Sequence, residues 1–234
     1  MNIIITGAGR GIGFETVKHF SSMKGNRIIA ISRNISALQK LSNEMTVGKN
    51  SAFIYPVSAD LNKNGFEKQL LSFILDRFKK IDILINNAGV LVNKSIQQLT
   101  SEYFESMFSV NTKAPFLLVK AMLPYFNKPS HIVNISSMGG FQGSAKFTGL
   151  SLYSASKGAL AILTECMAEE LIGKDIKVNC LALGSVQTEM LSEAFPGYNA
   201  QTSAAEMAEF IVNFALNAHK QINGKIIPVS ASTP

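Results

Sequence analysis

The sequence is poor in the residues that mark several large classes of protein. Only two cysteines occur among 234 residues, Cys166 in a helix-like run and Cys180 in a strand-like run. That excludes a disulfide-stapled scaffold. Neither has a metal-ligating neighbour, so both are expected to be free, buried thiols. The three histidines, His19, His131 and His219, lie in helix or strand runs far from one another, so neither a metal centre nor a histidine-based triad is expected. No stretch approaches the roughly 18 uninterrupted apolar residues of a membrane span; Asp82 and Lys120 interrupt the two best candidates. The opening apolar run, Asn2 to Thr6, is too short for a signal-peptide core and has no cationic start, which points to the cytoplasm. Pro/Gly/Ser-rich linkers, repeats and low-complexity tracts are also missing, and residues 1–234 are expected to form a single domain. The net charge of +6 comes from scattered lysines and arginines. They lack the basic stripe of a nucleic-acid binder, but a mild basic bias suits an anionic cofactor.

What is present is an alternation. Apolar strand-like runs fall at Asn2–Thr6, Arg27–Ile31, Ser51–Val57, Ile81–Ile85, His131–Ile135, Ile176–Leu181 and Lys225–Val229. Helix-period runs lie between them: Ile12–Ser21, Ile35–Glu44, Phe66–Phe78, Glu102–Phe126 with a break, Tyr153–Ile172 and Ala204–Ala218. Several strands are solidly apolar, as strands buried on both faces should be. The pattern predicts an α/β fold with a doubly wound, mostly parallel sheet, helices on both faces and ligands at the carboxyl ends of the strands.

Two stretches carry chemistry. Thr6-Gly7-Ala8-Gly9-Arg10-Gly11-Ile12-Gly13 joins the first strand to the first helix. Glycines there let the backbone turn sharply and admit a phosphate to the amide N–H groups, and the helix adds its positive end. Tyr153-Ser-Ala-Ser-Lys157 places a phenol and an ammonium one helical turn apart on one face. A cation at that distance is expected to lower the phenol's pKa and so fit it for proton exchange. At the end of the second strand, Ile31-Ser32-Arg33-Asn34 offers no carboxylate for a ribose 2′-hydroxyl. Arg33, with Arg10 in the glycine loop, suits a 2′-phosphate, so NADP(H) is preferred and NAD(H) remains possible. Asn86-Asn87-Ala88-Gly89 closes the fourth strand with small and amide residues fit for backbone close to a ligand.

Taken together, Thr6–Gly13, Asp60, Asn86–Gly89, Asn111, Ser137, Tyr153–Lys157 and Asn179–Thr188 resemble the short-chain dehydrogenase/reductase family along the whole chain. The resemblance implies a Rossmann-like, seven-stranded three-layer domain, a nicotinamide cofactor and chemistry at an alcohol or carbonyl carbon. It implies that Tyr153 is the acid/base, that Lys157 binds the nicotinamide ribose and lowers the Tyr153 pKa, and that Ser137 orients the substrate oxygen. Asn111 would hold a water that relays protons from Lys157. Cofactor contacts would come from Gly7, Arg10, Gly11, Ile12, Gly13, Ser32, Arg33, Asp60, Leu61, Asn87, Ala88, Gly89, Gly184, Val186 and Thr188, with no metal. Ser136 would be structural. Two departures stand out. Ser137 and Tyr153 lie 16 residues apart, a few more than is usual in the family, and Leu183-Gly184 stands where Pro-Gly is common.

The expected activity is interconversion of a small carbonyl compound and its alcohol. A non-catalytic dinucleotide sensor on the same fold is the alternative; an epimerase or dehydratase would generally have a longer C-terminal substrate region. The apolar runs Ala114–Pro124 and Gly158–Thr164 carry one charge and none. A helix apolar on all sides is buried on all sides, so a symmetric homodimer or homotetramer is expected, with Leu163 facing outward.

Overall fold

The computed structural model describes residues 1–45 and 52–231. Its strands are β1 (Asn2–Thr6), β2 (Arg27–Ser32), β3 (Phe53–Ser58), β4 (Ile81–Asn86), β5 (Phe126–Ser137), β6 (Ile176–Leu183), a two-residue pair β7 (Val186–Gln187) and β8 (Thr202–Ser203), and β9 (Ile226–Val229). The helices are α1 (Gly11–Ser21), α2 (Ser36–Met45), α3 (Phe66–Leu75), α4 (Ser101–Phe108), α5 (Ala114–Met122), α6 (Ser151–Glu170), α7 (Glu189–Ala194) and α8 (Ala204–Asn217). The seven expected main strands are there; the expected start of the third, Ser51, lies outside the described residues.

The main sheet runs β3-β2-β1-β4-β5-β6-β9, and every pairing is parallel. Its order reverses between β1 and β4. The register sets Thr6 opposite Ile31, Asn86 opposite Asn134 and Ser137 opposite Leu183, so the carboxyl ends of the central strands share one edge. The continuous apolar run of β1 follows from burial on both faces. Ile3 and Ile5 pack with Val17, Phe20 and Ile211 of α1 and α8, whereas Ile4 packs with Ile74, Leu118 and Ala168 of α3, α5 and α6. Among the described residues no helix is long and apolar enough to cross a membrane.

Three local readings change. The expected helix Glu102–Phe126 divides into α4, a π-turn at Ser109–Lys113, and α5. Pro115 stands at the start of α5 and has no N–H to give the Asn111 carbonyl, so the regular ladder cannot run through. Phe126, expected to end that helix, begins β5 opposite Ile81. Cys166, expected to be buried, is exposed on α6; Cys180 is buried. Finally, His131 and His219 are distant in sequence, yet their rings are 5.3 Å apart.

Candidate active site

At the reversal point the loops after β1 and β4 are fastened to each other. The Thr6 hydroxyl accepts hydrogen bonds from the backbone N–H groups of Asn87 and Ala88, each at 3.0 Å. The Asn87 amide donates to the carbonyls of Thr6 (3.0 Å) and Gly7 (3.2 Å). Its side chain therefore braces the glycine loop. The turn is tight enough to require glycine: Gly7 has φ +65°, and a Cβ on Gly13 would lie 2.3 Å from the Gly7 carbonyl oxygen. Helix α1 opens from this turn with no side-chain cap and no acid in its first turn, which leaves its first N–H groups open for an anion.

These residues line one end of a cleft of about 690 Å³ whose other end holds Ser137 and Tyr153. Helix α6 is fixed to β5 beneath them. The Ser136 hydroxyl donates to the Lys157 carbonyl (2.8 Å), and the Lys157 ammonium donates to the Ile135 carbonyl (2.7 Å). Burial lowers the Lys157 pKa to about 8, opposed by the nearby Cys180 sulfur. Burial raises the Tyr153 phenol above its ordinary value, while a hydrogen bond with Ser137 pulls it back. The expected lowering of the Tyr153 pKa by Lys157 is not seen in this geometry, where the net direction is upward. The ammonium is 6.0 Å from the ring centroid and donates to the Ile135 carbonyl.

Asn111 is fully buried in the π-turn. Its amide oxygen accepts from Val90 N–H (2.8 Å), and its amide nitrogen donates to the Val90 carbonyl and the Ser156 hydroxyl, both at 2.9 Å. Gly89 sits against it: a Cβ there would be 3.4 Å from the Lys157 ammonium and 3.5 Å from the Asn111 amide oxygen. Of the other expected residues, Arg10, Gly11, Ile12, Ser32, Arg33, Asp60, Leu61, Ala88, Gly184, Val186 and Thr188 also line the cleft. Thr188 caps α7 by accepting from Leu191 N–H (3.3 Å). Arg10 pairs with Glu193 of α7 at 2.8 Å, which raises its pKa. Sequence reasoning missed Glu193, Ser156 and the Ile135 carbonyl. Nothing local singles out an acid on a distant helix, a serine among serines, or a backbone group.

Residues 1–199 match the model of the family described as short chain dehydrogenase. The chain belongs to the short-chain dehydrogenases. As such it is an NAD(P)-dependent oxidoreductase acting on a small molecule. An uncharacterized oxidoreductase of Staphylococcus epidermidis is 29% identical over 222 residues, which cover 94% of this chain and 92% of that protein. Two solved structures share the fold. One is a short-chain dehydrogenase of Burkholderia cenocepacia in complex with NADP (TM-score 0.86, 23% identity, covering 99% of this chain and 96% of that one). The other is a putative NAD(P)-dependent gluconate 5-dehydrogenase of Beutenbergia cavernae with bound NADP (TM-score 0.84, 25% identity, covering 98% and 94%). The residues present fit a nicotinamide dinucleotide. The uncapped α1 amides face the cleft at the glycine loop, two arginines stand at that end, and Tyr153 stands at the other. Among the described residues no group of three His, Cys, Asp or Glu could hold a metal ion.

Proposed function

We propose that this short-chain dehydrogenase is an NADP(H)-dependent carbonyl reductase built as one domain, with Tyr153 as the proton donor. The observation that carries the reading is that Tyr153 and Ser137 line the same cleft as the glycine loop. A protonated phenol in reach of a substrate oxygen can act as a general acid at neutral pH. The reduced nicotinamide supplies a hydride when bound. The protein's own part is positional and protic. Ser137 holds the carbonyl oxygen, and Tyr153 gives that oxygen its proton as the substrate carbon gains the hydride, so the C=O π bond becomes C–H and O–H. Lys157 has a lowered pKa of about 8 and lies below the phenol, fit to bind the nicotinamide ribose and return a proton to Tyr153. Asn111, whose carbonyl receives no N–H from Pro115, would hold the water that refills Lys157.

The glycine loop and the start of α1 would take the diphosphate. Arg33, Ser32 and Arg10 would take the 2′-phosphate, Asp60 and Leu61 the adenine, and Gly184, Val186 and Thr188 the carboxamide. Changing Tyr153 to Phe keeps the ring and removes the proton. Turnover should fall at least about a hundredfold, the lower range for a general acid, while NADPH binding measured by fluorescence stays within a few-fold. Turnover at the wild-type level would remove Tyr153 from the mechanism. A dinucleotide sensor would bind NADPH and reduce no carbonyl.

A further inference from the structure

We infer that the substrate is an apolar ketone or aldehyde with no ionised group near its reacting carbon. This rests on the carbonyl-reductase reading above. Among the described residues, the charged groups that line the cleft, Lys157 apart, come from the glycine loop, the ends of β2 and β3, and α7. Arg10 and Arg33 line it at the glycine loop and the end of β2; Arg10 is tied to Glu193. Asp60 accepts from Asn62 N–H at 3.1 Å in the loop after β3. Glu189 turns back over the glycine loop, where a Cβ on Gly11 would be 3.6 Å from its carboxylate. The Lys157 ammonium bonds the Ile135 carbonyl.

Many of the cleft's lining side chains are apolar. The loop after β4 contributes Leu91, the long segment between Ser137 and α6 contributes Phe147 and Leu150, and α7 with its C-cap contributes Leu191 and Phe195. The one lysine of the long segment, Lys146, bonds the carbonyls of Phe141 (2.7 Å) and Ser144 (3.1 Å) and does not line the cleft. The Asn93 amide is likewise committed, donating to the Ala194 carbonyl at 2.8 Å and tying the β4 loop to α7. Beyond the catalytic pair and the charged groups named above, the polar side chains that line the cleft are neutral. They include Ser106 of α4 and the Tyr198 phenol, which shares a hydrogen bond of 3.1 Å with Ser185. A carboxylate or phosphate beside the reacting carbonyl would lose water and, among the described residues, meet no cation but Lys157, whose ammonium is already bonded to the Ile135 carbonyl. A hydrocarbon or aromatic group would bury apolar area there instead.

The test uses acetophenone, methyl 4-acetylbenzoate and 4-acetylbenzoate, which share one reacting ketone. NADPH oxidation gives kcat/KM, and equilibrium dialysis on the NADP⁺-loaded protein gives binding without turnover. Both neutral ketones should be bound and reduced, and the carboxylate should be disfavoured at least about tenfold in each readout. A smaller gap, or neutral ketones neither bound nor reduced, overturns the inference. Phe195→Arg should raise kcat/KM for the carboxylate relative to the ester at least about tenfold by supplying the missing cation; Leu191→Arg is the second variant should the first not fold. No change in either folded variant counts against the inference. Loss of the parent reading looks different: NADPH would fail to bind, or Tyr153→Phe would keep its turnover.

Discussion

Arg33 and Arg10 stand at the same end of the cleft but in different states. Arg10 is held by the Glu193 carboxylate at 2.8 Å, with both side chains more than half exposed. An exposed pair of this kind is worth roughly 0–1 kcal/mol, so a 2′-phosphate can draw Arg10 away at little cost. Arg33→Ala should therefore weaken NADPH about ten- to a hundredfold, the worth of one charge-assisted hydrogen bond, and leave NADH nearly unchanged. Equal losses in the two dissociation constants would exclude Arg33 as the discriminator. Glu193→Gln should tighten NADPH by at most about fivefold, since it frees Arg10 at the cost of one weak pair; weaker NADPH binding in that variant would show that the pair positions Arg10 instead of restraining it. The two arginines differ in what the sequence discloses. Arg33 follows a readable strand with no acid beside it, but the partner of Arg10 lies 183 residues away. Such a pair is created by the crossing of α7 over the glycine loop and leaves no local trace. The glycine loop is readable for the opposite reason: a positive φ at Gly7 and Gly11 and the 2.3 Å approach at Gly13 impose the residue type on the sequence itself.

At the scale of elements, α5 and α6 present the clearest surface. The sequence expectation that Leu163 faces outward does not hold; it packs partly against the core beside Met167 and Ala168. The outward residue is its neighbour Ile162, 60% exposed, and Phe116 of α5 is 42% exposed. Exposed large apolar side chains on adjoining helices are expected at a partner surface, and we read them as the contact between copies of this chain. Ile162→Glu should convert a homodimer or tetramer to smaller species in light scattering at micromolar concentration, with the far-ultraviolet spectrum unchanged. A wild-type protein that is already monomeric would end this reading. Helix boundaries in this region were harder to foresee than helix existence. The apolar period runs on through 102–126, and only Pro115, which cannot extend a hydrogen-bond ladder toward Asn111, marks where the turn loosens.

For the molecule as a whole, His131 links stability to pH. It is buried in β5, its Nδ1 lies 2.9 Å from the Ala215 carbonyl, and the Asn179 amide lies 3.0 Å from its Nε2. Burial, with a smaller contribution from His219, lowers its pKa to about 4. The unfolded chain takes up a proton near pH 6.5 and the native one does not until about 4. Stability from this site is therefore complete above about pH 6.5 and falls as the pH drops toward 4, by about 3 kcal/mol in all. Urea unfolding at pH 7 and at pH 4.5 should show this loss, and a His131→Gln variant should show a shallower one; equal slopes would clear His131 of the effect. The sheet order itself was readable only as a class. Alternating strands and helices imply parallel neighbours, but which strand lies beside which is set by contacts far apart in the chain. The last of those contacts has a consequence in time. The turn after β6 is completed by β9: the Gly184 N–H donates to the Val229 carbonyl at 2.8 Å, and Gly184 packs against Ser230. Ribosomes deliver roughly 5–20 residues per second, so the glycine loop leaves the tunnel on the order of ten seconds before β9 does. Until then the nascent chain holds its dinucleotide loop and its tyrosine without the strand that completes the Gly184 turn lining their cleft.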